Sequence, residues 1–126
     1  MPAVETTCCF TGHRASKLPW KFQEHDPRCI ALKQKIYDAA EAVYASGVRH
    51  YICGMANGCD LYFGEAVLQL RRQHPEITLE AASPCPTQAD AWPPDQQARY
   101  RRLVDACDAE TMVSAAYTPY CMLRRN

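Results

Sequence analysis

A chain of 126 residues, 48% of them hydrophobic, can bury one core and is shorter than the length at which chains divide into domains. Its 14 basic and 14 acidic residues cancel, which removes the basic surplus that a nucleic-acid binder of this size carries; Arg71-Arg72, Arg99-Tyr100-Arg101-Arg102 and Arg124-Arg125 read as solvated helix faces. No apolar run is long enough to cross a membrane, and eight cysteines without a basic-then-apolar leader fit the reducing cytoplasm better than a disulfide framework.

Glu5 to Phe10 reads as a first strand that ends in Thr11-Gly12-His13-Arg14. Arg14 offers a planar, permanently charged fork to a phosphate or carboxylate and Thr11 a hydroxyl. The alternative is a solvated loop arginine, with His13 capping a local turn. Trp20 follows in a proline-containing loop, where it either stacks on a base or packs into the protein. Asp26-Pro27 is a helix-start signal, and Ile30, Leu32, Ile36, Ala39, Ala40 and Val43 recur at helical spacing until Gly47.

Arg49 to Cys53 reads as a second strand, and it runs into Gly54-Met55-Ala56-Asn57-Gly58-Cys59-Asp60, the most informative stretch of the chain. Without a Cβ, Gly54 and Gly58 admit positive φ and a close ligand, while the helix that follows offers its first N–H groups and positive dipole end to an anion. That is the architecture of a phosphate cradle, although a bare strand-to-helix turn has the same pattern. Asp60, at the helix start, either caps backbone N–H groups or meets a ribose hydroxyl or a cation. The helix runs from Asp60 to Gln73 with Leu61, Phe63, Ala66, Val67 and Leu70 on its buried side. Glu65 is a general base if it points into a cleft and a structural carboxylate otherwise. Cys59 is a low-pKa thiol or an inert packed one.

Ile77 to Ala82 reads as a third strand leading to Pro84-Cys85-Pro86. Thr87 to Asp90 opens a helical region that breaks at Pro93-Pro94, beside Trp92, and resumes through Tyr100, Leu103 and Val104. Glu110 to Ser114 reads as a fourth strand; Tyr117, Thr118 and Arg124-Arg125-Asn126 beyond it either close over phosphate or fray. Strands alternating with helices predict an α/β fold with a mainly parallel sheet and right-handed crossovers, whose ligands lie beyond the carboxyl ends of the strands. No C-x-x-C pair and no Cys/His spacing of the zinc type occurs, so neither a metal nor a cofactor is expected.

Taken in order, Thr11-Gly12-His13-Arg14, Lys17-Leu18-Pro19-Trp20, Gly54-Met55-Ala56-x-Gly58-x-Asp60, Pro84-Cys85, Gln88, Trp92, Tyr117-Thr118, Cys121-Met122 and Arg125-Asn126 resemble the YoqJ/YpsA-like branch of the SLOG superfamily. The resemblance covers nearly the whole chain. It implies a Rossmann-like three-layer sandwich over residues 1–126, related to DprA and to the LOG phosphoribohydrolases, that binds a nucleotide or nucleotide-derived signal. The binding residues are then Thr11, Gly12, His13, Arg14, Trp20, Gly54, Met55, Gly58, Asp60 and Trp92, with no catalytic residue assigned. Members of this branch continue past Arg125-Asn126 into a helix, a strand and a Gly-Gly-Thr turn, so by that measure the chain is short at its C-terminus. LOG enzymes cleave with a late Pro-Gly-Gly-x-Gly-Thr loop, an Arg and a Glu, which weighs against catalysis here. A missing neighbouring strand leaves a sheet edge exposed, and a homo-oligomer is expected. The leading expectation is a cytoplasmic sensor of a phosphorylated, nucleotide-derived small molecule, with neither nucleic acid nor membrane as partner. The alternatives are a nucleotide N-glycosidase or phosphoribohydrolase, with Glu65 or Asp60 stabilising a ribosyl cation, and an interaction scaffold that binds no ligand.

Overall fold

In the computed structural model, residues 7–10, 15–83 and 89–112 are described. Four short strands, β1 (Thr7–Phe10), β2 (His50–Cys53), β3 (Thr78–Ser83) and β4 (Ala109–Met112), pair in parallel in the order β1-β2-β3-β4. Helices α1 (Pro27–Ala45), α2 (Cys59–Gln73) and α3 (Pro94–Ala106) make the three crossovers. This is the α/β class with a parallel sheet that the alternation of elements predicts.

Local chemistry sets the helix limits. At the start of α1 the Asp26 carboxylate accepts the Arg28 N–H at 2.8 Å and Pro27 fills a first-turn position that needs no N–H donor. Its end is closed by Ser46 and Gly47, whose N–H groups donate to Ala42 and Tyr44, with Gly47 at φ +116°. Helix α3 departs from expectation. The sequence predicts helix from Thr87; Thr87 and Gln88 lie outside the described residues, and Ala89 to Trp92 form a turn, with the Trp92 N–H donating to the Ala89 carbonyl at 3.0 Å. Pro94 has no N–H to give a preceding turn, so the helix begins there. Gln97 then reaches back to the carbonyls of Ala89 and Asp90.

Strand alternation separates the two sheet faces. Cys8, Phe10, Tyr51, Cys53, Leu79 and Ala81 share the face that packs on the helices. Phe10 stacks on Phe63 of α2 with ring centroids 4.7 Å apart, and the buried Tyr51 hydroxyl donates to the Ala40 carbonyl of α1 at 2.8 Å. Tyr51, Leu61, Val67, Leu70 and Leu79 are fully buried, each side chain contributing about 1.5–3 kcal/mol by leaving water. On α1 the inward residues are Cys29, Ile36 and Ala40; Ile30, expected in that stripe, is 57% exposed because Cys29 takes the inward position.

Consecutive strands joined by right-handed crossovers carry their helices on one face, and α2 lies between α1 and α3. The described residues therefore account for two layers. The other sheet face sets Cys9, Ile52, Ala82 and Ala109 beside a group of hydrogen-bonded polar side chains. His50 Nδ1 lies 2.6 Å from Thr78 Oγ1 and Nε2 3.0 Å from Glu80 Oε1, while the Thr111 hydroxyl donates to Glu80 Oε2 at 2.8 Å, joining β2, β3 and β4. At the end of the sheet, the Asp108 carboxylate accepts both the Leu79 N–H and the Arg71 guanidinium. No helix among the described residues is long and apolar enough to cross a membrane.

Candidate functional site

The loop from Gly54 to Gly58 leaves the carboxyl end of β2 and enters α2. Its left-handed residues are Met55 at φ +64° and Gly58 at φ +87°, ψ −132°. The Gly58 conformation is open only to glycine, whereas Met55 is an L-residue kept in the left-handed region by a completely buried side chain. Gly54 serves differently from the sequence expectation. Its backbone does not take positive φ; instead a Cβ there would lie 2.8 Å from Oδ2 of Asp60.

Asp60 occupies the first turn of α2 and is 2% exposed. Its Oδ2 accepts the Ala56 N–H at 3.3 Å, so the carboxylate turns back into the loop that precedes its own helix. The N-cap is Gly58, which has no side chain to cap the helix with. Asp60 is well placed for the helix dipole and also brings negative charge to the cradle. The loop is anchored from beneath by Cys53, whose thiol donates to the Asp60 carbonyl at 3.1 Å; burial pushes that thiol well above its ordinary pKa.

Thr11, Gly12, His13 and Arg14 lie outside the described residues, as do Gln88, Tyr117 and Thr118. The residues on either side of Thr11-Gly12-His13-Arg14 are placed at this loop. Phe10 is the register partner of Cys53, and the Ala15 N–H donates to the Asn57 side-chain oxygen at 3.2 Å. The sequence carries little signal for Asn57 beyond a polar side chain at the tip of a turn.

The two tryptophans have different surroundings. Trp20 is buried, its indole N–H donating to the Tyr62 hydroxyl at 3.3 Å and the Arg28 guanidinium lying 5.9 Å from its ring centre. Trp92 is half-buried and meets Tyr100 of α3 edge-on at 5.5 Å. Tyr62 in turn lies under two cations, Lys33 at 5.0 Å and Arg99 at 5.6 Å from its ring centre.

Arg99 is the hub of this region. It donates to both oxygens of Glu65, at 2.8 and 2.6 Å, and also to Glu24, which accepts from Lys33 at 2.7 Å. Burial raises the Glu24 pKa, but the hydrogen bonds from Arg99 and Lys33 outweigh it and hold the carboxyl below its ordinary value. The cluster binds the segment before α1 to α2 and α3. It also engages Glu65 in a forked ion pair, while Asp60 is engaged by its own loop. The two carboxylates considered for glycosidic cleavage therefore both have structural partners. Cys59 is buried at the start of α2. Among the described residues no three His, Cys, Asp or Glu side chains are grouped to hold a metal ion. A groove of about 590 Å³ runs between α1 and α2, lined by Lys33, Tyr37, Tyr62, Glu65 and Gln69 among others, along the helices rather than at the glycine loop.

Two curated proteins resemble this chain in sequence. A UPF0398 protein of Halalkalibacterium halodurans is 26% identical over 99 residues, covering 78% of this chain and 51% of that protein. A UPF0398 protein of Brevibacillus brevis is 24% identical over 111 residues, covering 87% of this chain and 57% of that one. The chain thus spans about half the length of the curated relatives it matches. Residues 8–126, which include Gly12, the Gly54–Gly58 loop and every described strand but the first residue of β1, match the YspA SLOG family, and to that family the chain belongs.

Proposed function

We propose that this chain is a binding module for a nucleotide or a nucleotide-derived phosphorylated ligand and acts as a sensor rather than a catalyst. The observation that carries the reading is the β2–α2 loop, where left-handed backbone at Met55 and Gly58 leads directly into a helix whose N-cap is glycine. Such a turn at the carboxyl end of a parallel strand holds phosphate through backbone N–H groups and the helix dipole. Gly12 and Arg14 complete the site in this reading, Arg14 by forked hydrogen bonds to phosphate. The tie from Ala15 to Asn57 supports it, because it draws the chain that follows Arg14 to the glycine loop. Family membership points the same way at the level of nucleotide-related chemistry.

The test is a thermal-shift screen of the purified chain against nucleotides, cyclic nucleotides and ADP-ribose-type compounds, repeated with Arg14→Ala. A ligand at 100 times its dissociation constant stabilises by about 2.7 kcal/mol. A stabilising compound lost in Arg14→Ala and recovered intact by mass spectrometry supports the sensor. Recovery as a cleaved product replaces it with the glycosidase reading, and an unshifted melting temperature across the set replaces it with the scaffold.

A further inference from the structure

We propose that Thr78 is a nucleophile for small activated acyl esters, with His50 as its general base and Glu80 as the residue that positions that base. The three side chains share the sheet face turned away from the helices, and His50 opens β2 at the end opposite the glycine loop, so the inference stands apart from the nucleotide reading. His50 and Thr78 are register partners at the starts of β2 and β3, and Glu80 lies two residues on from Thr78 along the same face. The imidazole bridges the two. Its Nδ1 is 2.6 Å from the Thr78 hydroxyl and its Nε2 is 3.0 Å from the Glu80 carboxylate.

Hydrogen bonding fixes where the protons lie. The Thr111 hydroxyl, against partial burial, keeps the Glu80 carboxyl below its ordinary value, so at neutral pH Glu80 is ionised and only accepts. Nε2 of His50 therefore carries a hydrogen. In a neutral imidazole that leaves Nδ1 with a lone pair, and the Thr78 hydroxyl donates to it. A hydroxyl aimed at a base whose other nitrogen is held by a carboxylate is the arrangement that activates a nucleophile. Exposure is graded in the same sense: Thr78 is exposed, while the His50 and Glu80 side chains are only 16% and 23% exposed. In the reaction, Oγ of Thr78 bonds to the ester carbonyl carbon as its proton passes to Nδ1. The bond from that carbon to the leaving oxygen then breaks, the leaving oxygen takes the proton from Nδ1, and the acyl group stays on Thr78 as an ester. Because Thr78 is exposed, the oxyanion formed on the way faces water rather than fixed donors, which suits esters with a good leaving group and not amides.

The test uses p-nitrophenyl acetate on the full chain near neutral pH, following nitrophenolate release by absorbance and locating the acetyl group by fragmentation mass spectrometry. Acetylation of Thr78 is expected. Thr78→Val, which keeps the branched shape without the hydroxyl, should abolish it, Thr78→Ser should retain it, and His50→Gln should slow it about a hundredfold. Circular dichroism of each variant checks that the fold is intact. The part played by Glu80 is read separately, by nitrogen NMR of the His50 ring: the parent should carry its hydrogen on Nε2, and Glu80→Gln should give mixed tautomers, because an amide donates as well as accepts. The proposal is overturned by nitrophenolate release indifferent to Thr78→Val with acetyl groups only on other residues, by Thr78 acetylation equally fast in folded His50→Gln, or by a parent ring with its hydrogen on Nδ1.

Discussion

Gly54 and Asp60 fit each other closely: the place where a Cβ would sit on Gly54 is 2.8 Å from Oδ2 of the Asp60 carboxylate. Gly54→Ala therefore pushes Asp60 away from the Ala56 N–H, with an expected loss of about 1–3 kcal/mol in urea denaturation. In an Asp60→Ala background the same methyl meets open space and should cost distinctly less, a non-additivity that measures the contact. Equal losses in both backgrounds would show that the pair is not what requires glycine.

Gly64 of α2 has a second close relationship, with Leu103 of α3. A Cβ on Gly64 would approach Leu103 Cδ2 to 2.7 Å and the Cys53 sulfur to 3.3 Å. Gly64→Ala is expected to destabilise by about 1–3 kcal/mol through overpacking, even though alanine favours helix. Adding Leu103→Val, which shortens the opposing side chain, should recover part of that loss. A Gly64→Ala protein as stable as the parent would mean that α3 can step aside freely.

Stability should fall in acid through Glu80. The Thr111 hydroxyl, acting against partial burial and together with His50, holds the Glu80 carboxyl below its ordinary value of 4.5. A carboxyl with its pKa lowered on folding stabilises fully above the unfolded value, and that contribution is lost as pH falls through the folded value. Glu24 acts in the same direction. Urea midpoints measured from pH 6 to pH 3 should decline below about pH 4.5, and Glu80→Gln should flatten the decline. Parallel curves for parent and variant would remove Glu80 from the acid response.

Thiol reactivity should follow exposure. Cys9 is exposed, whereas Cys29, Cys53 and Cys59 are buried. Burial, reinforced by the neighbouring Cys9, raises the Cys8 pKa, and burial pushes Cys107 up to about 11. Brief alkylation of the native protein at pH 8, mapped by fragmentation mass spectrometry, should mark Cys9 ahead of these others. Early labelling of Cys53 would show that β2 opens readily.

The sequence carries those parts of the fold whose cause is local. The buried stripe Leu61, Phe63, Ala66, Val67 and Leu70 is found as periodicity predicts, and Asp26-Pro27 does start α1. The α1 stripe predicts Ile30 inside, whereas the fully buried residue is Cys29, to which a hydrophobic pattern gives little weight. The turn at Ala89 to Trp92 reads as helix in the sequence because its restraint comes from Gln97, a turn and more downstream. At the site, the pattern picks out the glycine loop but not the division of labour in it. Positive φ falls on Met55, which only a buried environment makes tolerable, and Gly54 is required by a side chain six positions away. The Arg99 cluster was illegible for the same reason: Glu24 and Glu65 meet it across separations of 75 and 34 residues, where no spacing rule operates.

Because the strand order in space repeats the strand order in the chain, each strand finds its partner in the one made just before it. Among the described strands no pairing has to wait for a distant segment, and the entropy of closing each connection is confined to a single helix and its turns. During synthesis the sheet can therefore grow from one side as the chain emerges. The glycine loop between β2 and α2 would then take its shape once β3 is seated, before the residues of β4 have been made.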